Sequence, residues 1–296
     1  MFIGLYTEEY AVTEMCRTLG VTRQGYYKHL KSLEKPPKHA ALLAEIEGII
    51  GEDEFNDTYG KERLHDALVL RGWTISPSTV YRVCRANKLL AKKNNPIGLT
   101  KADKEAYKND DLLKGDFEAD APNEKFISDI TQLPTKDGKL YISPVFDCFD
   151  ALCVGISMDS NMKTPLVVRS LHSAISRYNI HDAKFHTDRG SQYTSNEFRE
   201  FIASTSITQS MSYAGSSCFG NARCESFFAR FKEEAIYKRY KTELMSMEDV
   251  KSLVFRYFMG YWNNRRINHA IGGMPPIEKR RRYFKSQNTN KHPMVA

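Results

Sequence analysis

Lys125-Phe-Ile-Ser-Asp-Ile130, Leu140-Tyr-Ile-Ser-Pro-Val-Phe146 and Leu152-Cys-Val-Gly-Ile-Ser-Met158 are three short apolar runs that follow one another closely. Each is rich in β-branched and aromatic residues and too short for a stable helix, so each reads as a strand. The turn Lys136-Asp-Gly138 lies between the first two, which predicts a three-stranded antiparallel meander.

Downstream the period lengthens. Lys163-Thr164 opens a helix through Pro165, Leu166, Val167, Leu171, Ile175 and Tyr178. A short strand at Ala183 to Phe185, a helix from Asn196 to Ala203, a short strand around Gln209 to Met211 and a further helix complete the pattern. That order predicts an α/β fold with a mixed five-stranded sheet flanked by helices, the ribonuclease-H-like architecture. Element order alone assigns no function.

Upstream, the chain reads as all-α. Val12, Met15, Cys16 and Leu19, then Gly20, then a second short helix, have helix-turn-helix spacing. Lys35-Pro-Pro-Lys38 interrupts the pattern, and Leu42, Leu43, Ile46, Ile49 and Ile50 mark a new helix beginning near His39. A second helix-turn-helix pattern runs from Tyr59 to Leu90: Leu64 and Leu68, the turn Arg71-Gly-Trp73, then Ser76-Pro77 capping a helix with Val80, Val83 and Cys84. Its Arg82, Arg85 and Lys88 are candidates to face DNA phosphate, although ordinary helical domains carry such patterns too. Residues 91–120 are polar and end at Ala121-Pro-Asn123, which reads as a linker. The expected division is a helix-turn-helix at 1–35, a second helical domain at 39–92, a linker at 93–115, a core with basic C-terminal helices at 116–285 and a tail at 286–296.

With 296 residues, 41% of them hydrophobic, the chain can bury one sizeable core and one or two smaller modules. No apolar stretch is long enough for a membrane span, and Met1 leads into Glu8 and Glu9 rather than a signal core, so the expectation is a soluble cytoplasmic protein without a membrane partner. Cys16, Cys84, Cys148, Cys153, Cys218 and Cys224 are scattered and form no CxxC pair, and are expected as buried free thiols. Charge is uneven. Basic and acidic side chains number 18 against 16 in residues 1–115, 9 against 13 in 116–220 and 16 against 7 in 221–296. An acidic middle beside a basic end suits a protein that gathers cations in one place and phosphates in another, though a solvated basic tail would look the same.

Three carboxylates stand where a capping or surface role explains them poorly. Asp129 ends an apolar strand, Asp188 follows the strand at Ala183 to Phe185, and Glu225 lies in the first turns of a helix. All three would converge at one sheet edge, where ionised carboxylates repel unless divalent cations neutralise them. Oxygen-only donors point to Mg²⁺ or Mn²⁺. Two such ions, about 3.5 to 4 Å apart, can activate a water or 3′-hydroxyl and stabilise the leaving oxygen of a phosphodiester.

Phe126-Ile-Ser-Asp129-Ile-Thr131, His186-Thr-Asp188-Arg-Gly-Ser-Gln-Tyr193-Thr-Ser195 and Asn221-Ala222 followed by Glu225-Ser-Phe-Phe228 resemble the motifs of the insertion-sequence transposases of the retroviral-integrase superfamily. The likeness is to the second-reading-frame protein of the insertion-sequence-three family, from about Tyr10 to Pro276. It implies a DDE catalytic core in which Asp129, Asp188 and Glu225 are catalytic and metal-binding, with DNA cleavage and strand transfer as the activity. Lys232, two helical turns beyond Glu225, matches a basic residue that touches DNA near the scissile phosphate, although a solvated lysine would share that spacing. Arg189, inside the second motif, and Arg265 and Arg266, in the closing motif Tyr261-Trp-Asn-Asn-Arg-Arg-Ile-Asn-His269, are further candidates for DNA contact. That closing motif either packs or binds DNA.

The sequence departs from the family at Phe126, where Trp is usual, and at Gly220, where Asp is usual. The 36 residues between Asp188 and Glu225 are one more than usual. An extra residue in the loop near Gly215 to Gly220 would account for the spacing at little cost in closure entropy. His29, His39 and His65 have no paired cysteines, so no structural zinc is expected. The resemblance also implies DNA as element ends and target, a homo-oligomer on that DNA, and an upstream-frame protein as fusion partner; no sustained heptad is present here. Binding should fall steeply with salt. Two other readings compete: a catalytically silent DNA-binding regulator of transposition, and a ribonuclease-H-type nuclease without strand transfer.

Overall fold

The computed structural model describes residues 2–33, 38–90, 111–113, 115–212, 222–237 and 239–291. The chain divides into two compact units, Met1–Gly48 and Ile49–Ala296. This division does not coincide with the boundaries read from composition. The second helical region belongs to the same unit as the sheet because its side chains are engaged there: Arg63 with Glu234, Asp53 with Arg265 and Asp66 with His269.

The first unit holds α1 (Phe2–Leu5), α2 (Val12–Thr18), α3 (Arg23–Leu33) and most of α4 (Ala40–Gly51). Ile3, Met15, Cys16 and Tyr26 form its small core, with Val12 and Leu30 packed against them. Gly20, at φ +66°, makes the left-handed turn between α2 and α3 that a side chain would strain.

In the second unit, α5 (Lys61–Leu70) and α6 (Pro77–Ala86) bury Leu64, Leu68, Val80 and Cys84 between them. The Ser76 hydroxyl accepts from the Thr79 N–H, and Pro77 occupies the first turn where its missing donor costs nothing.

The sheet is mixed, with strands β1 (Lys125–Ser128), β2 (Thr131–Thr135), β3 (Gly138–Asp147), β4 (Cys153–Asp159), β5 (Lys184–Thr187) and β6 (Thr208–Met211). β3 is central to its antiparallel half, with β4 on one edge and both β1 and β2 on the other; β1 then pairs in parallel with β5, and β5 with β6. β2 corrects the expected meander, because the Lys136-Asp-Gly138 turn joins β2 to β3, not β1 to β3. β1 and β2 keep one register against β3, from Phe126↔Asp147 through Ser128↔Val145 to Thr131↔Ile142 and Thr135↔Gly138. They are one strand position interrupted at Asp129 and Ile130, so six strands fill the five positions expected. The interruption faces Ser143 and Pro144, and proline has no N–H to give a ladder. The Ile130 N–H turns to the Asp129 carboxylate instead, at 2.7 Å.

Successive strand residues point to opposite faces. Val145 joins Val154, Leu171, Ala174, Phe185 and Phe198 in the core beneath α7 (Thr164–Tyr178), with α8 (Ser191–Thr194) and α9 (Asn196–Ala203) following on. A Cβ on Gly155 of β4 would lie 2.4 Å from the Ser170 carbonyl oxygen, so glycine permits the close approach of α7. Phe146 points the other way, 4.6 Å from Phe227 and 5.7 Å from Phe258 between ring centroids, under α10 (Ala222–Phe231) and α11 (Met247–Phe255) with its continuation. Both helices widen into π-type turns, at Lys232–Ile236 and Arg256–Trp262. α12 (Pro276–Lys291) closes the unit. The five described cysteines are free and buried, and Cys218 lies outside the described residues. No helix among the described residues is long and apolar enough to cross a membrane.

Candidate active site

β1 and β5 run parallel with Ile127 opposite His186. Two residues further along each lies an aspartate, Asp129 and Asp188, so the two acids stand side by side at the carboxyl ends of adjacent strands. Alternation places both on the face that carries Phe146, which α10 covers, and Glu225 lies in the first turn of α10.

Electrostatics reports the same proximity. Burial, then the Asp188 charge, and more weakly that of Glu225, raise Asp129; the Ile130 N–H and the Lys232 charge oppose them, and the group stands at about 8. Burial also raises Asp188, against the Gly190 N–H at 3.0 Å and the His186 charge. Burial lowers Lys232, and Asp129 pulls it back up. The buried thiol of Cys224, beside Glu225 on α10, is raised by burial and by both aspartates. Glu225 itself has an exposed side chain, and among the described residues no three Asp, Glu, His or Cys groups are closed around a metal-sized space. The donors are nonetheless all oxygen and the paired acids repel each other, so the residues fit a divalent cation of the Mg²⁺ or Mn²⁺ type.

Several positioning residues escaped the sequence reading. The Arg223 guanidinium donates to the Cys148 carbonyl at 2.8 Å and to that of Phe117, fastening the start of α10 to the sheet. Buried His186 lies between the hydroxyls of Ser210, 2.9 Å from Nδ1, and Ser212, 3.2 Å from Nε2. Gly190 sits against the second acid, because a Cβ there would stand 3.1 Å from Asp188 Oδ1. Only Arg223 falls outside the quoted motifs, and nothing local in its sequence signals a helix tether.

The candidates for DNA contact separate. Arg82 and Arg85 are exposed on α6, where Arg82 also donates to the Thr79 hydroxyl at 3.1 Å, and Lys88 is exposed just past the helix at φ +58°. Arg189 is half-buried beside Asp188; its Nε donates to the Ser212 carbonyl, and its Nη1 has no hydrogen-bond partner among the described residues. Arg265 is exposed and pairs with Asp53 at 3.1 Å.

Arg266 is a correction. It is 1% exposed and gives Nε and Nη2 to the two oxygens of Glu234, at 2.8 and 2.7 Å, so it has no face left for phosphate. Glu234 also receives Arg63 Nη1 at 2.8 Å and the Tyr257 hydroxyl at 2.8 Å. Most of the closing motif packs likewise. The Trp262 indole N–H donates to the Ala151 carbonyl at 2.8 Å, Asn263 pairs with the Cys153 backbone at 2.9 Å in both directions, and the Tyr261 hydroxyl reaches Asn56 at 3.0 Å. The loop that carries the family's Gly-rich segment, Gly215 to Asn221, lies outside the described residues.

A family model described as integrase core domain matches residues 119–217. The putative transposase InsK for insertion sequence element IS150 of Escherichia coli (strain K12) is 30% identical over 276 residues, 93% of this chain and 95% of that protein. The transposase InsF for insertion sequence IS3A of the same organism is 30% identical over 282 residues, 93% of this chain and 96% of that one. Among solved structures, a simian T-cell lymphotropic virus intasome in complex with PP2A regulatory subunit B56 gamma aligns with a TM-score of 0.45 and 18% identity, over 75% of this chain and 74% of that chain. Matched to two such relatives along nearly their whole lengths, the chain belongs to the transposases of the insertion-sequence-three family, with an integrase core domain.

Proposed function

We propose that this transposase cuts DNA at the ends of its mobile element and joins the freed 3′-hydroxyl to another phosphodiester, with Asp129, Asp188 and Glu225 holding two Mg²⁺ or Mn²⁺ ions. The observation that carries this reading is the pair of strand-end aspartates, one of them raised to about 8 beside an acid on α10. Bound cations would supply the Lewis acidity that activates the attacking oxygen and stabilises the leaving one.

The chain's own residues do the rest. The Asp129 carboxylate accepts the Ile130 N–H where the strand is interrupted, that of Asp188 accepts the Gly190 N–H, and Arg223 fastens to the sheet the start of α10, the helix that carries Glu225. Lys232, lowered by burial and partly restored by the Asp129 charge, would offer a cation to a phosphate oxygen. On this reading the partners are element ends and target DNA, a second copy of the chain on that DNA, and an upstream-frame protein as fusion. Asp188→Asn should abolish Mg²⁺-dependent strand joining on the element's own end sequence and leave DNA affinity intact; unchanged joining defeats the assignment.

The exposed side chain of Glu225 favours a second reading, a DNA-binding regulator without catalysis. Calorimetric titration with Mn²⁺ separates the two. Binding that Asp129→Asn removes supports the enzyme, and absence of binding supports the regulator.

A further inference from the structure

We infer that residues 111–113 and 115–117 form a strap that positions the second acid of the site, Asp188, by holding His186. The inference rests on the proposal that Asp188 binds a catalytic divalent ion, and it gives the ordering of that acid to a part of the chain outside the three acidic motifs.

β5 alternates. Phe185 enters the core beneath α7, so His186 and Asp188 both belong to the other face, two residues apart. β6 lies parallel alongside, with His186 opposite Ser210. His186 is buried, and both ring nitrogens are engaged: Nδ1 lies 2.9 Å from the Ser210 hydroxyl and Nε2 3.2 Å from that of Ser212. A ring held at both nitrogens leaves β5 little freedom just before Asp188.

The strap completes that hold from outside the sheet. The Leu112 N–H donates to the same Ser210 hydroxyl at 3.0 Å, and Asp111 Oδ1 lies 3.9 Å from His186 Nδ1 while accepting the Leu113 N–H at 3.1 Å. The Phe117 ring stands edge-on to the imidazole, 5.6 Å away between centroids. The Phe117 carbonyl accepts from Arg223, which also tethers α10 to the Cys148 carbonyl. One strap residue thus touches His186 with its ring and the start of the Glu225 helix with its backbone. Beyond it, Lys125 of β1 donates to Asp116 Oδ2 at 2.8 Å and to the Glu118 carbonyl at 2.5 Å, fastening the far end of the strap.

β6 is an edge strand, and covering an edge is an ordinary task for a loop. A cover alone would bond the exposed ladder of β6, whereas the Leu112 N–H goes to a side chain and Phe117 reaches a residue of β5. The strap also buries Asp111 and Leu113, at 8% and 3% exposed. Burying a carboxylate is costly without a partner, so this docking is specific to the imidazole and the N–H that meet it.

Two variants of the full chain test the strap from either side. Phe117→Ala removes the ring and leaves the carbonyl for Arg223, while His186→Phe keeps a ring and removes both hydrogen bonds. Each should raise the dissociation constant for Mn²⁺, measured by calorimetry without DNA, by about 10- to 100-fold. The Mg²⁺ concentration that half-saturates strand joining should rise in step, with the plateau rate recovered at high Mg²⁺. A merely structural loss would lower the plateau and leave the half-saturating concentration where it was. Phe117→Tyr, which restores the ring, should restore both quantities. In the metal-free chain, amide exchange at residues 187–190, where the Gly190 N–H donates to Asp188, should quicken while that of β3 stays native. Should His186→Phe fail to fold, Phe117→Ala and Phe117→Tyr decide. Native Mn²⁺ affinity and native exchange in a folded Phe117→Ala chain would overturn the inference. A native chain that binds no Mn²⁺ defeats the catalytic proposal instead, and the exchange at 187–190 in Phe117→Ala then decides this one: quickened, the strap positions Asp188; unchanged, it does not.

Discussion

Glu234 and Asp129 are carboxylates of the same unit, and burial pushes both upward, yet they end on opposite sides of the ordinary range. At Glu234 the charge and hydrogen bonds of Arg266, the charge of Arg63 and the Tyr257 hydroxyl outweigh burial and hold it at about 2. At Asp129 the neighbours are other acids, and Lys232 does not outweigh them, so the group rises to about 8. Asp147 lies between these extremes. It shares one guanidinium, that of Arg280, with Asp150, and, raised by burial and by the Asp150 charge, stands at about 6. The series from two cations per acid, through one cation for two acids, to an acid cluster with a single lysine nearby separates carboxylates held by the chain's own cations from a pair that, on the proposed function, divalent cations would neutralise.

The sharpest way to break this contrast is Asp129→Asn. Strand joining should drop to background while the metal-free protein becomes more stable at neutral pH, because an amide is buried there without the proton that the carboxylate must take up on folding; a gel-based joining assay and a metal-free thermal melt would show both. A loss of joining together with a loss of stability would make Asp129 structural.

Next in size is Arg266→Ala, which strands a buried charge and should cost about 3–5 kcal/mol in urea unfolding. A cost under about 1 kcal/mol would mean that Glu234 is not held by this pair. Acid and base then act in opposite directions on stability. Glu234 has a depressed folded value, so its contribution is complete above the unfolded value of about 4.3 and is lost as pH falls through about 2. Asp129 has a raised one, so the metal-free fold binds the extra proton and loses stability as pH climbs from about 4 to about 8. Urea titrations across pH should show both limbs, Glu234→Gln removing the first and Mg²⁺ flattening the second. Smallest is Arg265→Ala, which breaks an exposed pair with Asp53 one residue from Arg266 and should change stability by less than about 1 kcal/mol. Equal costs at 265 and 266 would erase the distinction between them.

The helices Thr164–Tyr178 and Asn196–Ala203 were legible because their apolar spacing and their opening residues agree. So was the meeting of Asp129 with Asp188, since both follow short apolar strands. β2 was not, because Thr-Gln-Leu-Pro-Thr carries a proline and its pairing depends on the register of β1 across an interruption. The burial of Arg266 was equally hidden. Asn-Asn-Arg-Arg in a basic region reads as surface, and its partner Glu234 lies 32 residues away on another helix. The π-type turns leave no local pattern either, although they set where Lys232 and Glu234 fall around the helix.

Arg63 supplies one of the donors to Glu234 from a helix that precedes the integrase core in the chain. A hybrid that joined the leading portion of one relative to the trailing portion of another would take position 63 from one parent and position 234 from the other. Where the parents differ there, the acid keeps its burial, Arg266 and Tyr257 and loses one cation, and the hybrid is destabilised although each portion is sound in its own parent. A cross-over that keeps the two positions together avoids that loss.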